Sequence, residues 1–228
     1  MQLFYRENFA EVKQLDDTDS KHCIKVLRKN VGDEIWVTDG KGGMYHCRIE
    51  DANPKRTGLY ILSEEQGFQK AKRRIHLAIA PTKNLDRITY LVEKATEIGI
   101  SEISFILTSN SERKVVKTDR IERVAISAMK QSLKAYLPKV NEMISINQFL
   151  EENTASQRFV CHLSDLSKPL TEHKIESDVC LLVGPEGDFD PSELEMAAKA
   201  GFEQVSLGDS RLRTETAGLV GVTLLNLL

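Results

Sequence analysis

The sequence predicts an α/β protein of two parts, a small N-terminal β-barrel followed by a larger domain with a parallel sheet. Roughly the first 70 residues contain several short strand patterns and one helix pattern. From Ile75 onward, apolar runs of strand length alternate with helical patterns, which is typical of parallel α/β sheets. Between the two parts, Gly67 to Arg74 is polar and charged, as expected for a linker. We therefore expect domains at residues 1–70 and 71–228.

In the N-terminal part, the hydrophobic pattern has the period of two that is typical of strands. Glu34–Thr38 and Met44–Ile49 flank a glycine-rich turn at Asp39–Gly43, which predicts a hairpin. The remaining elements expected here are a strand that begins at Gln2–Tyr5, a short helix over Asp19–Lys29 and a strand over Leu59–Leu62.

The second part begins with the apolar run Ile75–Ala80, which predicts a strand. A helix follows over Leu85–Ile98, where apolar residues recur at helical spacing and Gly99 supplies the stop. The patterns that follow predict a strand over Ile103–Leu107, a helix over Asp119–Tyr136, a connector with a short helix over Met143–Asn153 and a strand over Arg158–His162.

Residues 178–217 contain the most informative pattern of the chain. The buried strand predicted over Val179–Val183 leads into a tight loop, Gly184–Phe189, whose glycines and proline leave backbone amides exposed. Asp190 and Glu193 then form a capping box around Pro191 at the first helical position. Gly201 ends that helix, a strand follows over Glu203–Leu207, and residues 207–217 open a last apolar helix.

Two strand-to-loop turns at the carboxyl ends of a parallel sheet form a crevice of the kind that binds ligands in α/β proteins. The sequence contains neither a Walker loop nor a G-x-G-x-x-G turn after a strand. We therefore expect a ligand without a phosphate chain, held mainly by backbone amides and carbonyls.

Composition limits the classes of function that the chain can have. The net charge of −3 disfavours a general nucleic-acid binder, but the charge is uneven. Residues 111–140 carry eight basic and three acidic side chains, whereas residues 141–228 carry six basic and fifteen acidic ones. This asymmetry, a net charge of +5 against −9, indicates one surface that attracts an anion and another that maintains solubility.

No stretch of 18 consecutive apolar residues occurs, and the first residues lack a signal-peptide pattern. The chain's four cysteines are scattered and none has metal-ligand spacing; they are Cys23, Cys47, Cys161 and Cys180. The five histidines are dispersed as well, which disfavours a metal site or a Ser-His-Asp triad. We expect a cytoplasmic protein with reduced cysteines, no metal and no membrane contact.

Gly-Pro-Glu-Gly at 184–187 and Leu-Arg-Thr-Glu-Thr-Ala at 212–217 resemble motifs of the SPOUT superfamily of knotted methyltransferases. The most similar family is the bacterial ribosomal RNA small subunit methyltransferase E family, which forms N3-methyluridine in 16S ribosomal RNA. Weaker similarity covers residues 83–99, with Lys-Ala-Thr-Glu-Ile-Gly at 94–99, and residues 131–138. The resemblance implies a PUA-like RNA-binding barrel, a trefoil knot in the C-terminal domain, S-adenosyl-L-methionine as cofactor, the small ribosomal subunit as partner and a homodimer.

The resemblance also implies roles for individual residues. Arg213 would stabilise the uridine anion, and Glu215 or Glu186 would act as base, although either carboxylate could simply cap a neighbouring helix or loop. The backbone that would hold the cofactor lies near Leu182, Val183, Gly184, Gly187, Leu207, Gly208 and Leu212. The family usually has Arg-Ile-Leu-Arg before its Thr-Glu-Thr-Ala motif, so Arg211 here is displaced by one residue.

Several basic residues are candidates for RNA contact, with a solvated surface as the alternative for each. Lys83, Arg87 and Lys94 share one helix face by their spacing. Arg120, Arg123, Lys130 and Lys134 form a basic stripe on the helix over Asp119–Tyr136. Arg6 and Arg28 lie in stretches that match the family's barrel.

Two other functions stay open at this point: methylation of a ribose 2′-hydroxyl, and a non-catalytic RNA-binding factor in ribosome assembly. The nearly all-apolar segment Gly218–Leu228 is expected to be buried or to pack against a second subunit.

Overall fold

The computed structural model describes residues 2–164 and 167–228, which form two compact units. The first unit runs to Lys70 and also includes Ile126–Leu137. The second unit consists of Ala71–Ala125 and Pro138–Leu228.

The first unit is built on a four-stranded sheet in the order β1-β2-β3-β4. Strand β1 is parallel to β2, and the other neighbours are antiparallel. The strands are β1 (Leu3–Tyr5), β2 (Glu34–Thr38), β3 (Met44–Asp51) and β4 (Gly58–Glu65). The helices are α1 (Phe9–Val12) and α2 (Asp17–Lys21), and α2 continues into a π-helical turn over His22–Val26. The predicted hairpin is therefore confirmed as β2 and β3.

The core of the first unit combines this sheet with the segment 126–137. Phe9 packs edge-on against Tyr45, with 5.1 Å between the ring centroids, and both side chains are buried. The carbonyl oxygen of Ala135 accepts hydrogen bonds from the Thr38 hydroxyl at 3.3 Å and from the Gly42 amide at 2.9 Å. These bonds hold the end of the hairpin against residues 126–137.

The second unit contains a seven-stranded sheet in the order β7-β6-β5-β10-β8-β11-β9, and every neighbouring pair is parallel. The strands are β5 (Arg74–Ile79), β6 (Glu102–Leu107), β7 (Lys139–Ser145), β8 (Gln157–Cys161), β9 (Lys168–Pro169), β10 (Asp178–Val183) and β11 (Glu203–Ser206). Its helices are α3 (Leu85–Ile98), α5 (Ile146–Glu152), α6 (Pro191–Lys199) and α7 (Thr214–Leu227). The first part of α4 (Thr118–Gln131) also belongs to this unit, whereas its residues from Ile126 onward belong to the first unit. The predicted parallel α/β domain is confirmed.

Local signals account for most boundaries around the site. Strand β10 is buried from Val179 to Val183, as expected for a central parallel strand covered on both faces. Helix α6 starts with the predicted capping box of Asp190 and Glu193. Gly99 takes a left-handed conformation, with φ of 115°, at the end of α3.

Helix α7 approaches the sheet closely because two of its residues lack side chains. A Cβ atom at Gly221 would lie 2.2 Å from a methyl carbon of Leu181 in β10, and one at Gly218 would lie 3.3 Å from a methyl carbon of Ile79 in β5. The helix is not buried all round, because Leu227 is 78% exposed. Within the described residues, no helix combines the length and the apolar character that a membrane span requires.

Candidate active site

A crevice of about 610 Å³ lies in the second unit, beside the carboxyl ends of β8, β10 and β11. Ligands of open α/β sheets usually bind beside the carboxyl ends of the parallel strands. The volume lies within the range of pockets that bind cofactor-sized molecules. Most of the lining comes from two segments, Val183–Glu186 and residues 205–214 without Asp209. The end of β8 adds to it, as do Arg87, Asp188 and Ala217.

The loop after β10 has a shape that requires glycine at position 184. A Cβ atom there would lie 2.8 Å from the ring of Phe189, which is buried in the core. The sequence predicted that the backbone near Gly184 holds the ligand. The structure adds an internal reason, so a larger residue here would disturb the loop as well as the crevice.

The same loop is fastened to the segment that follows β6. Glu193 is buried, and its Oε1 accepts hydrogen bonds from the Ser109 amide at 2.7 Å and from the Ser109 hydroxyl at 3.1 Å. The side-chain amide of Asn110 donates to the carbonyl oxygens of Gly187 at 3.3 Å and Asp188 at 3.0 Å. The loop is therefore fixed by the protein itself before any ligand binds.

The second wall of the crevice begins where β11 ends. Gly208 has φ of 119°, a conformation that favours glycine, and a Cβ atom there would have no neighbour within 4 Å. Its backbone is therefore open to a ligand. Leu207, Leu212 and Val183 add apolar surface to the crevice.

The proposed catalytic pair lies at the start of α7. Arg213 lines the crevice and is the N-cap residue of the helix. Glu215 is buried, its Oε1 lies 3.6 Å from Nε of Arg87, and its Oε2 has no hydrogen-bond partner among the described residues. Glu186 lines the crevice and accepts a hydrogen bond from Arg87 Nη1 at 2.9 Å.

Not every predicted cofactor residue lines the crevice. Val183, Gly184, Leu207, Gly208 and Leu212 do so. The Leu182 side chain is instead buried in the core against residues such as Ala80 and Phe189, because neighbouring side chains of a strand point to opposite faces. Gly187 lies against Asn110, which a Cβ atom would approach to 3.3 Å.

The end of β8 contributes residues that the sequence did not single out, namely Cys161, His162 and Leu163. Burial raises the pKa of the Cys161 thiol to about 12, so it does not act as a nucleophile at neutral pH. The Nδ1 atom of His162 lies 3.5 Å from a carboxylate oxygen of Asp188, across the crevice lining. The polar residues that follow this predicted strand could have indicated a site at its end. The sequence contains no signal, however, that β8 pairs with β10.

The candidate RNA-binding residues of the second unit differ in their surroundings. Lys83 is exposed and lies 3.0 Å from Glu112. Lys94 donates hydrogen bonds to the carboxylates of Glu93 and Glu97, which raise its pKa and engage its charge. Arg120 lies 3.6 Å from Asp86, and Arg123 donates to the carbonyl oxygen of Asp119 at 3.0 Å.

In the first unit, Arg6 is partly buried and its Nε has no hydrogen-bond partner among the described residues. Arg28 is exposed, with φ of 56°, and Lys134 is partly buried. Lys130, assigned to the basic stripe by spacing, instead forms an ion pair with buried Asp19 at 2.7 Å and lies over the Phe4 ring. This pairing engages the charge of Lys130 within the protein, and its place in an RNA-binding stripe stays a prediction.

Two protein families match this sequence, one over each part of the chain. A family described as "RNA methyltransferase domain" matches residues 69–226, and one described as "RNA methyltransferase PUA domain" matches residues 15–56. A Ribosomal RNA small subunit methyltransferase E of Rickettsia conorii is 27% identical over 99% of this chain and 95% of its own length.

Two solved structures share the whole fold. A probable rRNA-methyltransferase from Porphyromonas gingivalis is 40% identical, with a TM-score of 0.92 over 100% of this chain and 99% of its own. The Ribosomal RNA small subunit methyltransferase E from Neisseria gonorrhoeae, bound to S-adenosyl methionine, is 27% identical, with a TM-score of 0.88 over 97% of this chain and 95% of its own. Because the family match covers more than half of the sequence, this chain belongs to the RNA methyltransferase family with a PUA domain.

Proposed function

We propose that this protein is an S-adenosyl-L-methionine-dependent methyltransferase that modifies N3 of a specific uridine in 16S ribosomal RNA of the small subunit. The observation that carries the proposal is the crevice at β8, β10 and β11, with Arg213 on its lining, in a chain of the RNA methyltransferase family. The names of the relatives support the choice of ribosomal RNA, and the cofactor in the Neisseria gonorrhoeae protein supports the choice of methyl donor.

The residues present fit this cofactor. Its adenosine and methionine parts need apolar surface together with backbone donors and acceptors, and the crevice offers both through Val183, Leu207 and Leu212 and the backbone at Gly184 and Gly208. The open space beside Gly208 supports close approach of its backbone. The cofactor supplies a methyl group already activated on a sulfonium.

The protein's remaining tasks are to position the uridine and to manage one proton. N3 must lose its proton, and the charge that forms spreads over the two flanking carbonyl oxygens. We assign stabilisation of this charge to Arg213, because a guanidinium remains protonated and offers several donors. We assign proton removal to Glu215, with Glu186 as the other candidate. The position of Glu186 on the crevice lining supports its candidacy, and the unpartnered Oε2 of Glu215 supports the other assignment.

The methylated atom can be identified directly from the product. N3 lies on the pairing edge of uridine, so its methylation should stop reverse transcription at the modified nucleotide, and the base must leave any duplex to react. We expect such a stop in 16S ribosomal RNA treated with the protein and the cofactor, and none without the cofactor. Readthrough combined with resistance to alkaline cleavage at one position would show a ribose 2′-O-methyltransferase instead. No cofactor binding in calorimetry would favour the non-catalytic assembly factor.

We propose that RNA is held by the PUA domain and by basic residues around the crevice. Arg6, Arg28 and Lys134 would contact RNA from the first unit, and Lys83, Lys94, Arg120 and Arg123 from the second. The exposure of Arg28 and Lys83 and the unpartnered Nε of Arg6 support this assignment. Contacts of this kind to phosphates position the RNA without reading its sequence.

We propose a homodimer that packs through α7. Val220, Leu224 and Leu227 recur at spacings of four and three and share one face of the helix, where Val220 and Leu224 are partly exposed and Leu227 is exposed. Covering this face would remove apolar surface from water. Sedimentation at micromolar concentration should therefore give about twice the mass of one chain. A stable monomer that still methylates RNA would contradict the dimer.

We also propose the barrel form of the N-terminal domain, the trefoil knot in the C-terminal domain and a cytoplasmic location. The family match supports the first two. The four cysteines of the described residues are all free thiols, which supports a reducing compartment.

A further inference from the structure

Arg87 of α3 connects two segments that are distant in sequence. Its Nη1 lies 2.9 Å from Oε1 of Glu186 in the loop after β10, and its Nε lies 3.6 Å from Oε1 of Glu215 in the first turn of α7. Arg87 and Glu186 line the crevice, so this ion-pair network belongs to its wall. One guanidinium thus contacts both candidate bases.

The segment before α3 adds to the same network. The backbone amide of Lys83 lies 3.5 Å from Oε2 of Glu186. Arg113 in turn donates hydrogen bonds to the carbonyl oxygens of Thr82, at 3.1 Å, and Lys83. These hydrogen bonds hold the segment before α3 in place, and Arg87 in the first turn of α3 therefore has a fixed position at the crevice.

The negative charge of Glu215 needs the ion pair with Arg87 more than the charge of Glu186 does. The Glu215 side chain is only 11% exposed, compared with 34% for Glu186. Arg87 is the one cation within ion-pair distance of Glu215 among the described residues. A buried carboxylate without a compensating charge is strongly unfavourable. Loss of Arg87 should consequently displace Glu215 and the start of α7, together with the loop that carries Glu186.

We propose that Arg87 is a positioning residue for methyl transfer and not an RNA contact. Its planar fork holds the two carboxylates, and through them the two walls of the crevice, at a fixed separation. Lysine cannot reproduce this role, because a single ammonium group lacks the two-sided donor geometry. The inference rests on the proposed function, since the crevice is taken as the cofactor site.

The test compares Arg87→Gln and Arg87→Lys with the wild-type protein in three measurements. Calorimetry gives cofactor affinity, a filter-binding titration gives RNA affinity, and single-turnover kinetics at saturating cofactor and RNA give the rate of transfer. We expect both variants to bind cofactor about tenfold more weakly and to react about 10²-fold more slowly, because small displacements at a reaction centre have effects of this size. RNA affinity should stay within about twofold.

Lys199→Gln is the matched control, since it removes one positive charge from an exposed position in the last turn of α6. It should match the wild type in all three measurements. Lower RNA affinity of the Arg87 variants with unchanged cofactor affinity would overturn the proposal and make Arg87 an RNA contact. Wild-type protein that binds no cofactor would instead overturn the proposed function, so the two failures are distinguishable.

A double variant tests the pairing with Glu215 without relying on activity. In Arg87→Gln/Glu215→Gln, no buried charge is left without its partner, so cofactor affinity and the thermal transition should recover towards those of Glu215→Gln alone. Additive losses would show that the two side chains do not act together and would overturn the network. This comparison remains decisive if Arg87→Gln alone folds poorly.

Discussion

Replacement of Arg213 by alanine should lower the rate of methyl transfer about 10²- to 10³-fold while cofactor affinity changes by about twofold or less. Arg213 lines the crevice and caps α7 without a side-chain cap hydrogen bond, so its guanidinium is available to a substrate. The negative charge that it would stabilise forms on the uridine only during the reaction. Its loss should therefore affect the transition state more than the bound cofactor.

Single-turnover kinetics and cofactor calorimetry on the same preparation would measure both quantities. Arg213→Lys is the matched variant: it keeps the charge but loses the fork, so we expect an intermediate rate. An equal loss of cofactor affinity and rate in Arg213→Ala would show that Arg213 belongs to the cofactor site. A rate close to that of the wild type would remove it from the mechanism.

Replacement of Glu193 by alanine should lower the free energy of unfolding of the second unit by about 3 kcal/mol, because buried donors that lose their acceptor cost about 1–3 kcal/mol each. Glu193 is 3% exposed. It accepts hydrogen bonds from the amides of Ser109, at 2.7 Å, and Asp190, at 2.9 Å. The change also releases the loop after β10 from the segment after β6, so cofactor affinity should fall with stability.

Denaturant unfolding followed by circular dichroism would measure this loss. At about 2–4 °C per kcal/mol for a domain of this size, the melting temperature should fall by roughly 10 °C. Glu195→Ala is the matched control, since Glu195 is exposed on the same helix and should change stability by about 0.5 kcal/mol or less. A loss in Glu193→Ala no larger than that of the control would show that other groups replace the carboxylate.

Much of the second unit could be predicted because its signals are local. The capping box at Asp190 and Glu193 acts over three residues, and the strand Val179–Val183 is marked by an unbroken apolar run. Such features depend on neighbouring backbone and side chains alone. The carboxyl ends of β10 and β11, which form two walls of the crevice, followed from the same reasoning and from the resemblance to a methyltransferase family.

Only the tertiary structure decided which distant groups meet. Strand β8 lies between β10 and β11, which brings His162 to the crevice, because strand order depends on pairing between segments far apart in the chain. The tertiary structure also decided which face of β10 meets the crevice. The side chain of Leu182 enters the core, whereas its neighbour Val183 lies on the crevice wall.

The basic residues show most clearly which features follow from the sequence and which depend on the tertiary structure. Helical spacing placed Arg87 and Lys130 on basic faces, and the sequence by itself determined that much. The partners lie far along the chain: Lys130 pairs with Asp19, 111 residues away, and Arg87 pairs with Glu186, 99 residues away. Periodicity specifies the face of a helix on which a charge lies, but only the folded chain specifies which carboxylate that face meets. The sequence thus determined the strands, caps and turns of the site, and tertiary packing decided which of its charges are paired.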